Sequence, residues 1–316
     1  MYKKSILSLS AAVALSLTGG AFSSVAYASA QAEQELRTYL ASFGLEDSFS
    51  WERIEGDSLA DASVYGVTFI SDKGSDDEQK YLIKKMDFDD YSVTDDRISV
   101  EVKYLGVTDE DGEHVLLSKR LSPEGHFQSL AYEQLDDIEV KLKYTMDKAS
   151  GTLAGGFEIS QDDVLDGSLS FKTEGIDVLF EQLKSMDAAV LDPDLLMISA
   201  MSTKIHHINI SVDDDGYNKR MLEHNPQHES EVGEHYQACV QTVGEFDLKV
   251  LEQGCMAMRD YLLDKEDKLQ ISINPAKPFS IAEYMPMFML VGNAGPDALA
   301  TLVQKIVGEL NLKISN

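Results

Sequence analysis

Between Phe49 and about Val178 the apolar residues recur at every second position. The stretches Val64 to Phe69, Tyr81 to Ile83, Ile98 to Tyr104, Ile138 to Tyr144, Leu153 to Ile159 and Ser168 to Phe171 all alternate in this way. Alternation of period two places one set of side chains on a core face and the other in water, which predicts strands. Charged or glycine-bearing turns separate them: Asp72-Lys73-Gly74, Asp109 to Gly112, Asp147 to Gly151 and Asp166-Gly167. Strands joined by short turns predict an antiparallel meander with one wet face. Ahead of it, Leu36, Tyr39, Leu40 and Phe43 fall at helical spacing, so residues 31–45 are expected to form a helix that Gly44 can end.

A faint echo runs through the meander. Tyr65-Gly66-Val67-Thr68, Leu105-Gly106-Val107-Thr108 and Glu174-Gly175-Ile176-Asp177 share a glycine, a β-branched residue, then Thr or Asp. A glycine inside a strand can mark a bulge or bend.

The period then changes. Residues 178–200 read as helical, with a turn at Asp192-Pro193-Asp194. Lys204 to Val212 alternates as a strand, and Asp213-Asp214-Asp215-Gly216 closes it and signals a helix start. A helical insertion is expected over 217–263, followed by a strand from Leu269 to Ile273 that Asn274-Pro275 and Lys277-Pro278 end. Two short helices are expected around 280–290 and 296–307. The second starts at Pro296 and should bury Leu299, Leu302, Val303 and Ile306. A last strand is expected over Leu310 to Ile314. The predicted fold class is α+β: a long antiparallel β-meander with a helical insertion and C-terminal helices packed on the sheet. The expected parts are a signal peptide at 1–30, a helix and meander at 31–182, and a mixed part at 183–316.

The first of those parts sets the compartment. Lys3 and Lys4 make a basic start, Ile6 to about Leu17 is apolar, and Ala26-Tyr27-Ala28-Ser29-Ala30 offers cleavage before Ser29 or Gln31. A bilayer span needs about 20 strongly apolar residues. Thr18-Gly19-Gly20 and Ser23-Ser24 interrupt this one. The chain is therefore expected to be exported, periplasmic or secreted, with no transmembrane segment in the mature form. The longest later apolar run, Tyr284 to Gly292, is too short and holds Pro286.

The whole chain carries a formal charge of −28 (27 basic against 55 acidic), and loss of Lys3 and Lys4 makes it −30. Such a chain repels nucleic acid and anionic surfaces, so nucleic acid is not an expected partner.

Two cysteines in an exported chain point to a disulfide. Val232, Tyr236, Cys239 and Val243 form one helical seam, and Leu248, Leu251, Cys255, Met258 and Leu262 form another. Gly244 can end the first helix and Asp247 can cap the second. Counted from that loop, Cys239 and Cys255 are offset by about three residues, or about 4.5 Å along the axes. That fits a bridge, for which Cα atoms lie roughly 4.4–6.8 Å apart. The alternative is two buried thiols.

Other constellations carry less. His224, His228 and His235 cluster in the insertion, but Pro226 breaks the helix that would align the first two as metal ligands. His206 and His207 are neighbours in a strand and face opposite sides. The acidic loops at 109–112 and 213–216 superficially resemble calcium loops. Both lack the closing glutamate, since Ser118 and Leu222 stand there, so both read as turns. No serine-hydrolase elbow, zinc-protease helix, phosphate loop or dinucleotide fingerprint is present. No catalytic residue, metal site or cofactor is expected. Met285, Met287, Phe288 and Met289 form an apolar run around Pro286. They read either as core or as an adaptable ligand surface.

In the order of its parts the mature chain resembles a set of exported bacterial proteins of uncharacterised function. The likeness is carried by the meander with its glycine echoes, by Asp215-Gly216 to Arg220 opening the insertion, by Ile273-Asn274-Pro275-Ala276-Lys277-Pro278, and by the closing Leu-rich helix and strand. A more distant likeness is to the AsmA-like envelope proteins. The resemblance implies a β-rich envelope protein with an apolar groove and supplies no catalytic residue. The expected function is to hold a lipid or other apolar ligand in the cell envelope. The alternative is an envelope structural or protein-interaction module.

Overall fold

The computed structural model describes residues 30–42, 44–75, 78–120, 125–175, 201–244, 246–291 and 296–316. The expected export segment up to residue 29, Phe43, the end of the last meander strand and the helical stretch 178–200 lie outside the described residues. The fold is α+β with a long antiparallel meander. The chain divides into two compact units, 1–143 and 144–316.

In the first unit, helix α1 (Ala30–Ser42) precedes strands β1 (Phe49–Ser50), β2 (Arg53–Glu55), β3 (Ser63–Ser71), β4 (Gln79–Val93) and β5 (Arg97–Asp109). A one-turn helix α2 (His126–Ser129) follows, and β6 (Glu139–Asp147) begins in this unit. β1 and β2 both pair with β3, β3 with β4, and β4 with β5, all antiparallel. α1 buries Leu36, Tyr39 and Leu40, as their spacing predicted, and Ala32 with them. Tyr39 sets its ring edge-on to Phe88 at 6.3 Å and to Tyr91 at 5.7 Å. Phe49, Phe69 and Tyr81 stack in a row across three strands.

The alternation changes phase midway through the sheet. In β3 the buried residues are Val64, then Val67 and Phe69; in β4 they are Tyr81 and Ile83, then Met86 and Phe88. The switch falls on one row. Tyr65 pairs with Lys85 and Val67 with Ile83, while Lys85 pairs with Leu105 and Ile83 with Val107. Lys84 therefore lies between Gly66 and Gly106, which have φ of 60° and 65°. A side chain at either glycine would collide with Glu52 or Asp137. Asp137 also pairs with Lys84 at 2.5 Å. The echoed glycines thus mark the bend, and the phase switch explains why β4 is far longer than its predicted core, Tyr81 to Ile83. A second irregularity, between Phe88 and Asp90, breaks its alternation again.

In the second unit β7 (Thr152–Gln161), β8 (Leu165–Glu174), β9 (Lys204–Asp214), β10 (Lys268–Ile273) and β12 (Lys313–Ser315) pair in succession, and β11 (Phe279–Ser280) adds to the start of β9. Between β9 and β10 come α3 (Tyr217–His224), α4 (His228–Gly244) and α5 (Lys249–Leu262), the predicted insertion. α6 (Met285–Val291) and α7 (Pro296–Leu310) close the chain before β12. Among the described residues two small apolar clusters hold this unit together. One gathers Ala257, Tyr261 and Leu269 with Val212, Leu262 and Ile314. The other gathers Phe279, Tyr284 and Leu302 with Ile205, Met287, Ile306 and Leu310.

Three expectations are corrected here. Met258, expected on the α5 seam, is 40% exposed, because the buried side of α5 carries Gly254, Cys255, Ala257 and Tyr261 instead. Leu299 is 39% exposed, because it lies a turn ahead of the cluster that Leu302 joins. Asp247 does not cap α5: it takes a φ of 48°, and Leu248 is the N-cap with no side-chain capping bond.

Candidate functional site

The C-terminal face is built by punctuation. Pro275 and Pro278 cannot donate to a ladder, so β10 ends and the chain turns into the short β11. A 3-10 turn over Ile281–Tyr284 leads into α6, where Pro286 sits in the first turn and costs no helical hydrogen bond. Phe279 stacks on Tyr284 with centroids 5.2 Å apart, and the Tyr284 hydroxyl donates to the Glu309 carboxylate. Burial, and then that carboxylate, push the Tyr284 phenol up to about 12. This anchor fixes the start of α6.

The four residues singled out in the sequence are divided by that anchor. Met287 packs against the Phe279–Tyr284–Leu302 cluster and Met285 is half-buried. Phe288 is 37% exposed and Met289 70% exposed. Leu290, which the methionine pattern did not include, is 72% exposed. Ile281 and Leu299, on the flanking elements, are also exposed. A signal for this face was present: Tyr284 to Pro296 holds no charged residue.

Charge adds a second feature. From Leu269 onward the chain carries Lys277, Lys305 and Lys313 against Glu283, Asp297 and Glu309. These cancel (3 − 3), so the whole −28 sits on residues 1–268. The excess of acids over bases ends at that point.

A cleft of about 360 Å³ lies in the same unit, lined by Asn274, Lys277, Phe279, Glu283, Glu309 and Asn311 among others. Lys277 and Glu283 approach to 3.9 Å at its rim. Phe288, Met289 and Leu290 do not line it. Their apolar surface is an open face.

Cys239 on α4 and Cys255 on α5 lie at disulfide distance, with Cα atoms 6.0 Å apart. The Arg259 guanidinium lies over the Tyr236 ring at 4.5 Å, beside the same seam. α4 otherwise buries only His228 and Val232, near its start.

The remaining candidates are occupied by local structure. His228 is buried with Nε2 2.8 Å from the Leu262 carbonyl oxygen, while His224 and His235 are exposed. His206 contacts Glu174 at 2.9 Å, and Lys204 binds the same carboxylate at 2.7 Å. Both hydrogen bonds hold the Glu174 carboxyl below its usual range, Lys204 the more strongly. Among the described residues no three His, Cys, Asp or Glu side chains converge as a metal site.

The two acidic loops are turns. Asp109 is buried, accepts from the Asp111 and Glu113 amides at 3.0 and 2.9 Å, and takes the Ser118 hydroxyl on its other oxygen. Asp214 accepts from the Gly216 and Asn218 amides at 3.0 and 2.9 Å, which opens α3. Burial raises its carboxyl. Asn218, fully buried, donates to the Tyr261 carbonyl at 2.9 Å and ties α3 to α5.

No curated protein matches the chain. A family model described as "Uncharacterized protein" matches residues 158–316, half of the chain. That span contains the insertion, both cysteines and the whole apolar face, and the chain belongs to this uncharacterised family.

Proposed function

We propose that the chain is an exported envelope protein, periplasmic or secreted, that binds a lipid or other apolar ligand through the open face of α6. One observation carries this reading: Met289 and Leu290, near the end of α6, are the most exposed large apolar residues described, and Phe288 beside them is exposed as well. Large apolar side chains left together in water mark interaction sites. Methionine side chains adapt to ligands of varied shape. Export is supported by the basic, apolar and small-residue zones of the first thirty residues, and by two cysteines at disulfide distance.

The neutral apolar dye N-phenyl-1-naphthylamine tests the ligand reading. Its fluorescence should rise on the wild-type protein, and the rise should fall at least fivefold in a Met289→Asp, Leu290→Asp variant. Equal fluorescence in the two proteins would remove this face from consideration. N-terminal sequencing of protein from the native compartment tests export; a chain starting at Met1 defeats it.

A protein-interaction role is the second reading, favoured by Met256 and Met258, which are exposed on α5 beside the cysteine pair. Crosslinking in intact cells should then recover a defined envelope protein through α5.

A further inference from the structure

We infer that the face of α6 docks on the surface of a zwitterionic lipid layer rather than enclosing a single lipid molecule. The inference rests on the reading that this face takes an apolar ligand.

The shape of the site comes first. A pocket that extracts a small molecule buries most of that molecule's surface. Met289 and Leu290, the most exposed large apolar residues described, stand outside the neighbouring cleft, whose lining includes Lys277, Glu283, Glu309 and Asn311. Side chains so placed gain burial by entering an apolar phase outside the protein. α6 has seven residues, and the uncharged run from Tyr284 to Pro296 is too short to span a bilayer. It can lie in the interface, with the buried Tyr284 and Leu302 cluster holding its other side.

Charge selects the surface. Residues 1–268 carry the full −28, which repels anionic lipid and a second copy of this chain alike. A protein partner chosen for this chain's charge would be basic and would meet an excess of acids at its contact. The stretch bearing the face has none, since its three lysines balance its three acids. A surface with no net charge, presenting an apolar interior, fits both facts. A zwitterionic phospholipid layer has that chemistry.

Flotation of the full mature protein with vesicles tests this. Phosphatidylcholine vesicles should carry the protein upward, and the bound fraction should change less than twofold between 50 and 500 mM salt. Met289→Asp with Leu290→Asp should reduce binding at least tenfold with an unchanged circular dichroism spectrum, since both positions are exposed. Replacing Leu290 by Trp should preserve binding and give a blue-shifted emission on vesicles. Absence of flotation overturns the inference, as does flotation that the double substitution leaves unchanged. Stronger binding to phosphatidylglycerol than to phosphatidylcholine at 50 mM salt also overturns it. Dye binding without vesicle binding leaves the apolar-ligand reading standing and removes the lipid-layer inference alone. A photocrosslinker at position 290 that captures one protein, in a chain that ignores vesicles, replaces it with a protein partner.

Discussion

The two units use the same antiparallel hairpins and treat their apolar residues in opposite ways. Of the 36 buried apolar residues described, 25 lie in residues 1–143 and 11 in residues 144–316. Of the large exposed apolar residues described, only Val93 belongs to the first unit. The reason is visible in the strands. β3, β4 and β5 carry Val64, Val67, Met86, Phe88, Val100 and Val102 inward. β7 and β8 carry Gly155, Gly156, Gly167, Ser168 and Ser170, and the only residue buried along them is Gln161. Their large apolar residues, Leu153, Phe157, Ile159, Leu169 and Phe171, are only half-buried. Among the described residues the second unit is tied by small clusters, buried polar links and its cysteine pair. It also holds most of the exposed large apolar residues described.

The largest effect that would sharpen this contrast comes from matched truncations. Met86→Ala removes a fully buried side chain and should cost about 2–5 kcal/mol. Leu169→Ala, on half-buried β8, should cost less than about 1 kcal/mol. Denaturant unfolding measures both, and similar costs would break the comparison.

Next is the cysteine pair. Replacing Cys239 and Cys255 by Ser should loosen α4 and α5, because α4 buries little beyond His228 and Val232. The loop-entropy model puts the loss at no more than about 3 kcal/mol. Amide exchange should accelerate over 228–262, while β3 to β5 stay protected. Acceleration across both units would show that the insertion supports the whole chain.

A smaller effect is expected from alkali. Tyr261 and Tyr284 are both raised from 10.0 to about 12, chiefly by burial. The unfolded chain releases these protons first, so their contribution is complete below pH 10 and is lost as pH rises to about 12. In the first unit Tyr81 and Tyr91 shift in the same direction through burial. Phenolate absorbance followed with exchange should show the second unit opening first; simultaneous opening would erase the distinction.

The smallest concerns one helix start. Asp214→Ala removes two acceptors for the first amides of α3 and should cost about 1 kcal/mol. The loss should be confined to 214–228 in exchange measurements.

Local chemistry made much of this fold legible. Leu36, Tyr39 and Leu40 announced α1, and Asn225-Pro226 announced the break between α3 and α4. The seams holding Cys239 and Cys255 put them on facing helices. These features need only a few neighbouring residues. The exposed half of the Met285 to Met289 run was not legible, because a methionine pattern is the same whether a core or water receives it. Met287 and Met289 differ only in which side of α6 meets Phe279 and Tyr284.

By itself the sequence determined the fold class, the meander strands and the helical insertion among the described residues, their turns, and the charge balance of the last stretch. Each follows from period, from glycine and proline, or from counting. The tertiary structure decided the phase switch at Gly66, Lys84 and Gly106, the closure of the acidic loops on their own amides, and the exposure of Phe288, Met289 and Leu290. Those depend on which distant segment arrives opposite a residue, and only the paired strands and packed helices bring such segments together.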